Sequence, residues 1–185
     1  MPTLIVCNVS SESEIPVVKG FSYRFGTDFR IVTNLNLGFG RVWKMESMAK
    51  TDAEWTRRFM RKFMDENYST LLKIDPDTKI KSLPAMPAGC DVAGDFRQTN
   101  LGWLWLGAFQ YFTRSAVEKI LADPLYTGSC LYQDVSLASS VRRLGLKACN
   151  MEEVDGWCGP DSNSQVTHRG RALIERNPAG PIILT

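Results

Sequence analysis

At 185 residues, with 44% hydrophobic and 23% charged residues, the chain has the size and balance of one globular domain with a sizeable core. A formal net charge of +2 excludes a general polyanion or membrane-surface binder on charge alone, although between Arg41 and Lys62 seven basic residues stand against three acidic ones. Five cysteines, Cys7, Cys90, Cys130, Cys149 and Cys158, form no C-x-x-C pair, which predicts reduced thiols in a cytosolic compartment.

The first element is "TLIVCNV" (3–9), a continuous apolar run rich in β-branched residues. It is too short for a signal h-region or a membrane span and predicts a strand buried on both faces. "FRIVTN" (29–34) predicts a second strand and "STLLKID" (69–75) a third. Between them lies the clearest helix. Thr51 and Glu54 fit a capping box, Trp55, Phe59, Phe63 and Asn67 recur every fourth residue, and Met60 and Met64 widen the stripe. Arg57, Arg58, Arg61 and Lys62 take its other side. Further helices are predicted from about 115 to 121, closed by Pro124, and from about 135 to 144, with Gly145 as the C-cap. This alternation predicts an α/β domain with a largely parallel sheet covered on both faces. Ligands of such sheets collect beyond the carboxyl ends of the strands, which brings Asn8, Ser10, Thr33 and Asn34 within reach of a nucleotide, with Lys44 and Arg41 nearby.

The third strand runs into "DPD". Pro76 disfavours helix at Asp75, and in an extended chain Asp75 and Asp77 would point the same way. Two carboxylates so placed repel unless a cation joins them, and a divalent metal is the natural guest. The alternative is a plain turn, for which Asp and Pro are common residues.

The order of later pieces adds to this. "LLKIDPD", "WLGAFQYFTRSAVEKI", "YQDVSLASSVRRLG" and His168 follow one another over about residues 69 to 170. In that order the chain resembles glycosyltransferases of the GT-A fold, in particular the inverting galactosyltransferase and Fringe-like group. The resemblance implies a single-domain, Rossmann-like sheet, with about 1–77 the nucleotide-binding half and about 78–185 the acceptor and catalytic half. It implies Asp75, Asp77 and the sole histidine, His168, as ligands of Mn2+ or Mg2+, the imidazole favouring Mn2+. Gly107 and Arg169, with Arg171 beside it, would lie by the donor, a nucleotide-diphosphate sugar such as a UDP-sugar. Asp134 would be the general base, although an aspartate just before a helix is also a preferred N-cap. The sequence departs from the group at Gln133, where a glutamate is usual, and at Ala108, which shortens the glycine run. Neither the membrane anchor nor the disulfides of secretory members are expected, so the resemblance points to a compact cytoplasmic protein of a bacterium or virus.

For the acceptor, Trp103 and Trp105 would share one face of an extended segment and offer a stacking platform, with the polar, mobile stretch of Asp95 and Arg97 lining the same cleft. The cations Arg57, Arg58, Arg61 and Lys62 would suit DNA bearing a modified base as the acceptor, or a solvated helix face. Two other readings stay open: a nucleotidyltransferase using the same carboxylates, and a non-catalytic nucleic-acid-binding module whose "DPD" is only a turn.

Overall fold

The computed structural model describes residues 2–46, 51–99, 102–126, 133–155, 166–167 and 180–182. In chain order the elements are β1 (Thr3–Val9), α1 (Ile15–Phe25), β2 (Phe29–Thr33), β3 (Val42–Lys44), α2 (Asp52–Met64), β4 (Thr70–Ile74), β5 (Lys79–Ile80), β6 (Val92–Thr99), β7 (Gly102–Thr113), α3 (Arg114–Ala122), α4 (Gln133–Arg143), β8 (Ala148–Asn150), β9 (Val154–Asp155), β10 (Val166–Thr167) and β11 (Gly180–Ile182). One sheet of eight strands runs in the order β11-β8-β6-β7-β4-β1-β2-β3, and β5-β10-β9 form a small second sheet. In the large sheet β3-β2-β1-β4 and the β6-β8 pair are parallel, whereas β7 lies antiparallel to both β4 and β6, and β11 to β8.

The three apolar runs predicted as strands lie side by side in this sheet as β4, β1 and β2, for the reason their composition suggested. Each is covered on both sides, so most positions are apolar. Leu4, Val6, Val32 and Leu71 point into a core shared with α2, α3 and α4. Ile5, Cys7, Val9, Ile31, Leu72 and Ile74 alternate with them and face the core closed by α1. That helix was not foreseen, since Gly20 and a weak apolar rhythm obscure it.

On α2 the Thr51 hydroxyl accepts the Glu54 amide at 3.1 Å, and Trp55, Phe59, Met60 and Phe63 are buried as their spacing predicted. The helix α4 starts at Gln133, two residues earlier than expected, so Asp134 lies inside its first turn and does not precede it. Its end follows expectation: Gly145 takes φ +61°, and the Leu146 amide bonds back to the Val141 carbonyl at 3.0 Å.

Asp123 locks the end of α3 to α4. Its buried carboxylate accepts from Arg143, from the Ser140 hydroxyl at 2.9 Å and from the Leu125 amide at 3.0 Å. Burial pushes the carboxyl up, but these bonds outweigh it and hold it below its ordinary 3.8. A carboxylate depressed by folding contributes stability that is complete above the unfolded value and is lost as pH falls through the folded one. Asp123→Asn is therefore expected to flatten the loss of thermal stability below about pH 4. An unchanged acid limb in melting curves would contradict this role.

Three expectations are corrected here. Cys90 and Cys149 form a disulfide, joining the loop before β6 to β8 across 59 residues of chain, while Cys7 is a buried thiol. Sequence spacing hid the pair because β6 and β8 meet only in the folded sheet, where Ala93 lies opposite Cys149. Asp95 and Arg97 are not on a mobile polar loop. Both are 2% exposed within β6 and bond each other at 2.7 Å, a buried pair satisfied internally. Trp105 is fully buried, stacked on Phe96 with centroids 4.8 Å apart, and packs so closely over Gly94 that a Cβ there would lie 2.5 Å from its Nε1. It offers no open face to a sugar, and Trp103 is partly buried against the same core.

Candidate functional site

The site grows from the tip of β4. Lysine at 73 is the one charged residue inside this buried strand, and alternation places it on the same face as Leu71 and, beyond the strand, Asp75. Its ammonium, 3% exposed as a residue, donates to the Asp75 carboxylate and to the Gly107 carbonyl at 2.5 Å. Gly107 belongs to a stretch of β7 where Leu106, Gly107, Ala108 and Phe109 stand against Asp95 alone, because the β6–β7 register jumps from Gly94↔Gln110 to Phe96↔Trp105. The first turn of α4 closes over this bulge. A Cβ built on Gly107 would lie 3.0 Å from Asp134 Oδ1, 3.1 Å from Lys73 Nζ and 3.6 Å from Asp75 Oδ2. Two carboxylates and one ammonium thus converge beside one Cα, where an added methyl would be tight against Asp134 and Lys73.

The "DPD" segment is a turn as well as part of the site. The Thr78 amide bonds the Asp75 carbonyl at 3.1 Å, so Pro76 and Asp77 form a reversal and the extended alternation expected for the two aspartates does not hold. Asp75 keeps its carboxylate in the cluster while Asp77 is exposed at the turn. The field of these groups is felt across the sheet. Burial pushes the Cys7 thiol well above 9.0, and Asp75 adds to it, with Lys73 opposing and Glu14 and Asp77 contributing further.

Beside the cluster lie the carboxyl ends of β1, β2 and β3, where a nucleotide was expected. Asn8 Oδ1 and Asn34 Oδ1 are buried acceptors that no protein donor among the described residues reaches. The Thr33 hydroxyl accepts the Leu35 amide at 3.0 Å, and Lys44 donates to the Asn34 carbonyl and Asn36 Oδ1, both at 2.6 Å. Ser10 is engaged otherwise: Glu14 Oε2 accepts its amide at 2.8 Å and the Ser11 amide at 3.0 Å, placing a carboxylate at the start of the first helical turn.

Of the four cations on α2, two serve packing. Arg57 donates to the carbonyls of Tyr126 and, at 3.4 Å, Leu121, and Arg58 pairs with Glu54 at 2.5 Å. Arg61 is exposed and Lys62 half-buried. His168, Arg169 and Arg171 lie outside the described residues, as do Cys130 and Cys158. Among the described residues no three His, Cys, Asp or Glu side chains gather closely enough to enclose a metal. Asp75 and Asp77 stand at the tip of β4, where the Asp75 carboxylate is paired with the Lys73 ammonium.

Sequence reasoning missed Lys73 and Gln110. The signal for Lys73 was present: a lysine inside a run predicted to be buried on both faces, two residues before Asp75, needs a partner on its own side of the strand.

Fold and site together define an α/β domain with a mostly parallel central sheet that gathers a charged cluster beyond the ends of its middle strands. The protein A197 from STIV shares this fold, with a TM-score of 0.50 over 82% of this chain and 82% of that one, at 15% identity. A "putative nucleotide-diphospho-sugar transferase" from Desulfovibrio desulfuricans G20 superposes with a TM-score of 0.49 over 81% of this chain and 79% of that one, at 12% identity. No protein-family model and no curated protein matches the chain. At these identities the likeness is one of fold alone.

Among the described residues no helix is long and apolar enough to cross a membrane.

Proposed function

We propose that this chain is a metal-dependent inverting glycosyltransferase that moves a sugar from a nucleotide-diphosphate sugar, a UDP-sugar first among them, to an acceptor nucleophile. The observation that carries the reading is that Asp134 and Asp75, from two motifs far apart in sequence, both bring a carboxylate beside Gly107, past the carboxyl end of β4, where sheets of this kind bind ligands. Asp134 accepts the acceptor's proton as its oxygen attacks the anomeric carbon from the face opposite the diphosphate. Its place within the first turn of α4 supports this role over that of a helix cap. Asp75 and Asp77, with His168, are the residues that would hold Mn2+ or Mg2+, which would supply Lewis-acid stabilisation to a departing diphosphate. Asn8 and Asn34 are the proposed contacts for the nucleoside. With Arg57 bonded to the Tyr126 carbonyl and Arg58 to Glu54, these two cations give no preference for DNA over other acceptors.

Calorimetry with UDP, with and without Mn2+, followed by a screen for UDP release from UDP-sugars, tests the reading. Metal-dependent UDP binding and release from at least one sugar are expected. Binding of nucleoside triphosphates with pyrophosphate release would replace it with nucleotidyl transfer, and no nucleotide binding at all would remove the enzyme.

A further inference from the structure

Behind the site a chain of buried side chains links three elements. The Thr56 hydroxyl, on α2, donates to Gln133 Oε1 at 2.7 Å; Gln133 Nε2, at the start of α4, donates to Gln110 Oε1 at 2.7 Å; and Gln110 Nε2, on β7, donates to the Trp105 carbonyl at 2.9 Å. Thr56 and Gln110 are fully buried and Gln133 is 5% exposed, so none can turn to water for a partner. The polarity of the chain follows from its fixed end. A main-chain carbonyl can only accept, which turns the Gln110 amide nitrogen toward it and its oxygen toward Gln133. Gln133 must then present nitrogen to Gln110 and oxygen to Thr56, whose hydroxyl rotates to donate.

The positions of the links matter. Gln110 and Trp105 are the two ends of the β7 bulge that carries Gly107, so the bond between them clamps the bulge. Gln133 is the residue before Asp134. We propose that Gln133 is a positioning residue, whose single amide–amide bond to Gln110 sets the first turn of α4 against the β7 bulge and so fixes the Asp134 carboxylate over Gly107. This rests on the reading of Asp134 as the base, while the relay itself does not.

The glutamate usual at this position in the resembled group makes the test sharp. A protonated glutamic acid reproduces the glutamine pattern, with one donor for Gln110 and one acceptor for Thr56. An ionised one can only accept, and a flip of Gln110 merely moves the clash to the Trp105 carbonyl. Burial raises such a carboxyl's pKa, so the relay is intact in Gln133→Glu below that value and broken as pH rises through it. The experiment compares wild type, Gln133→Glu and the uncharged, similarly sized Gln133→Met across roughly pH 5 to 8.5, reading kcat and donor KM separately. Relative to wild type, Gln133→Glu should lose at least about tenfold in kcat between the acid and alkaline ends with donor KM nearly constant, and Gln133→Met should be low at every pH. A pH-independent ratio for Gln133→Glu, or wild-type kcat in Gln133→Met, overturns the proposal. Should wild type turn over no nucleotide-sugar, the functional reading fails alone. The relay is then decided by amide hydrogen exchange in Gln133→Met, which should deprotect the first turn of α4 and residues 106–109 together; loosening of one without the other refutes it.

Discussion

Asp134→Asn is expected to slow sugar transfer by about 100- to 10,000-fold, the usual worth of a positioned general base, while UDP affinity in the presence of Mn2+ stays close to that of wild type. Asparagine keeps the shape of the side chain beside Gly107, so packing of the first turn of α4 is preserved. What is lost is the ability to take a proton from the acceptor. Transfer assays with the identified donor, paired with calorimetry, separate the two effects. Undiminished turnover in the asparagine variant would remove Asp134 from the chemistry and return it to a structural role at the helix start.

Gly107→Ala is the second large effect. Gly107 does not adopt a positive φ, so an alanine backbone is acceptable there and the consequence falls on the side chains around it. Its methyl would need room from Asp134 Oδ1 at 3.0 Å and Lys73 Nζ at 3.1 Å. Lys73 cannot retreat without loosening its bonds to Asp75 and to the Gly107 carbonyl, and those partners are themselves part of the site. The methyl therefore presses on the Asp134 carboxylate and the Lys73 ammonium, each of which must give by a few tenths of an ångström. Misplacement on that scale is expected to lower kcat by up to about 100-fold, with a stability cost of about 1–3 kcal/mol for overpacking. Equal kcat in Gly107→Ala, with a folded protein verified by circular dichroism, would show that the crowding around this Cα is irrelevant to the reaction.

The legible parts of the molecule were those set by local pattern. β1, β2 and β4 were readable because a strand buried on both faces is mostly apolar, and α2 because its apolar stripe recurs at helical spacing beneath a threonine cap. Asp75 and Asp134 were readable as candidates from short motifs in a recognisable order. The tryptophans misled because Trp103 and Trp105 do share a face, but it is the one turned toward the core. Asp95 and Arg97 misled because a polar stretch resembles a loop until the two charges are seen to satisfy each other inside β6. The cysteines misled because pairing depends on strands β6 and β8 becoming neighbours.

Composition and periodicity alone pointed to an α/β sheet, to β1, β2 and β4 within it and to Asp75 and Asp77 just past β4, since burial on both faces leaves a direct imprint on residue order. β6 and β7 went unread. Folding in three dimensions was needed to bring Asp134 to Asp75, to insert Lys73 between strand and bulge, and to join Thr56, Gln133 and Gln110 into one chain of hydrogen bonds. Those contacts join residues tens of positions apart across separate elements. Neither periodicity nor propensity records which distant partner satisfies a buried polar group; only the packed sheet and the helix above it decide that.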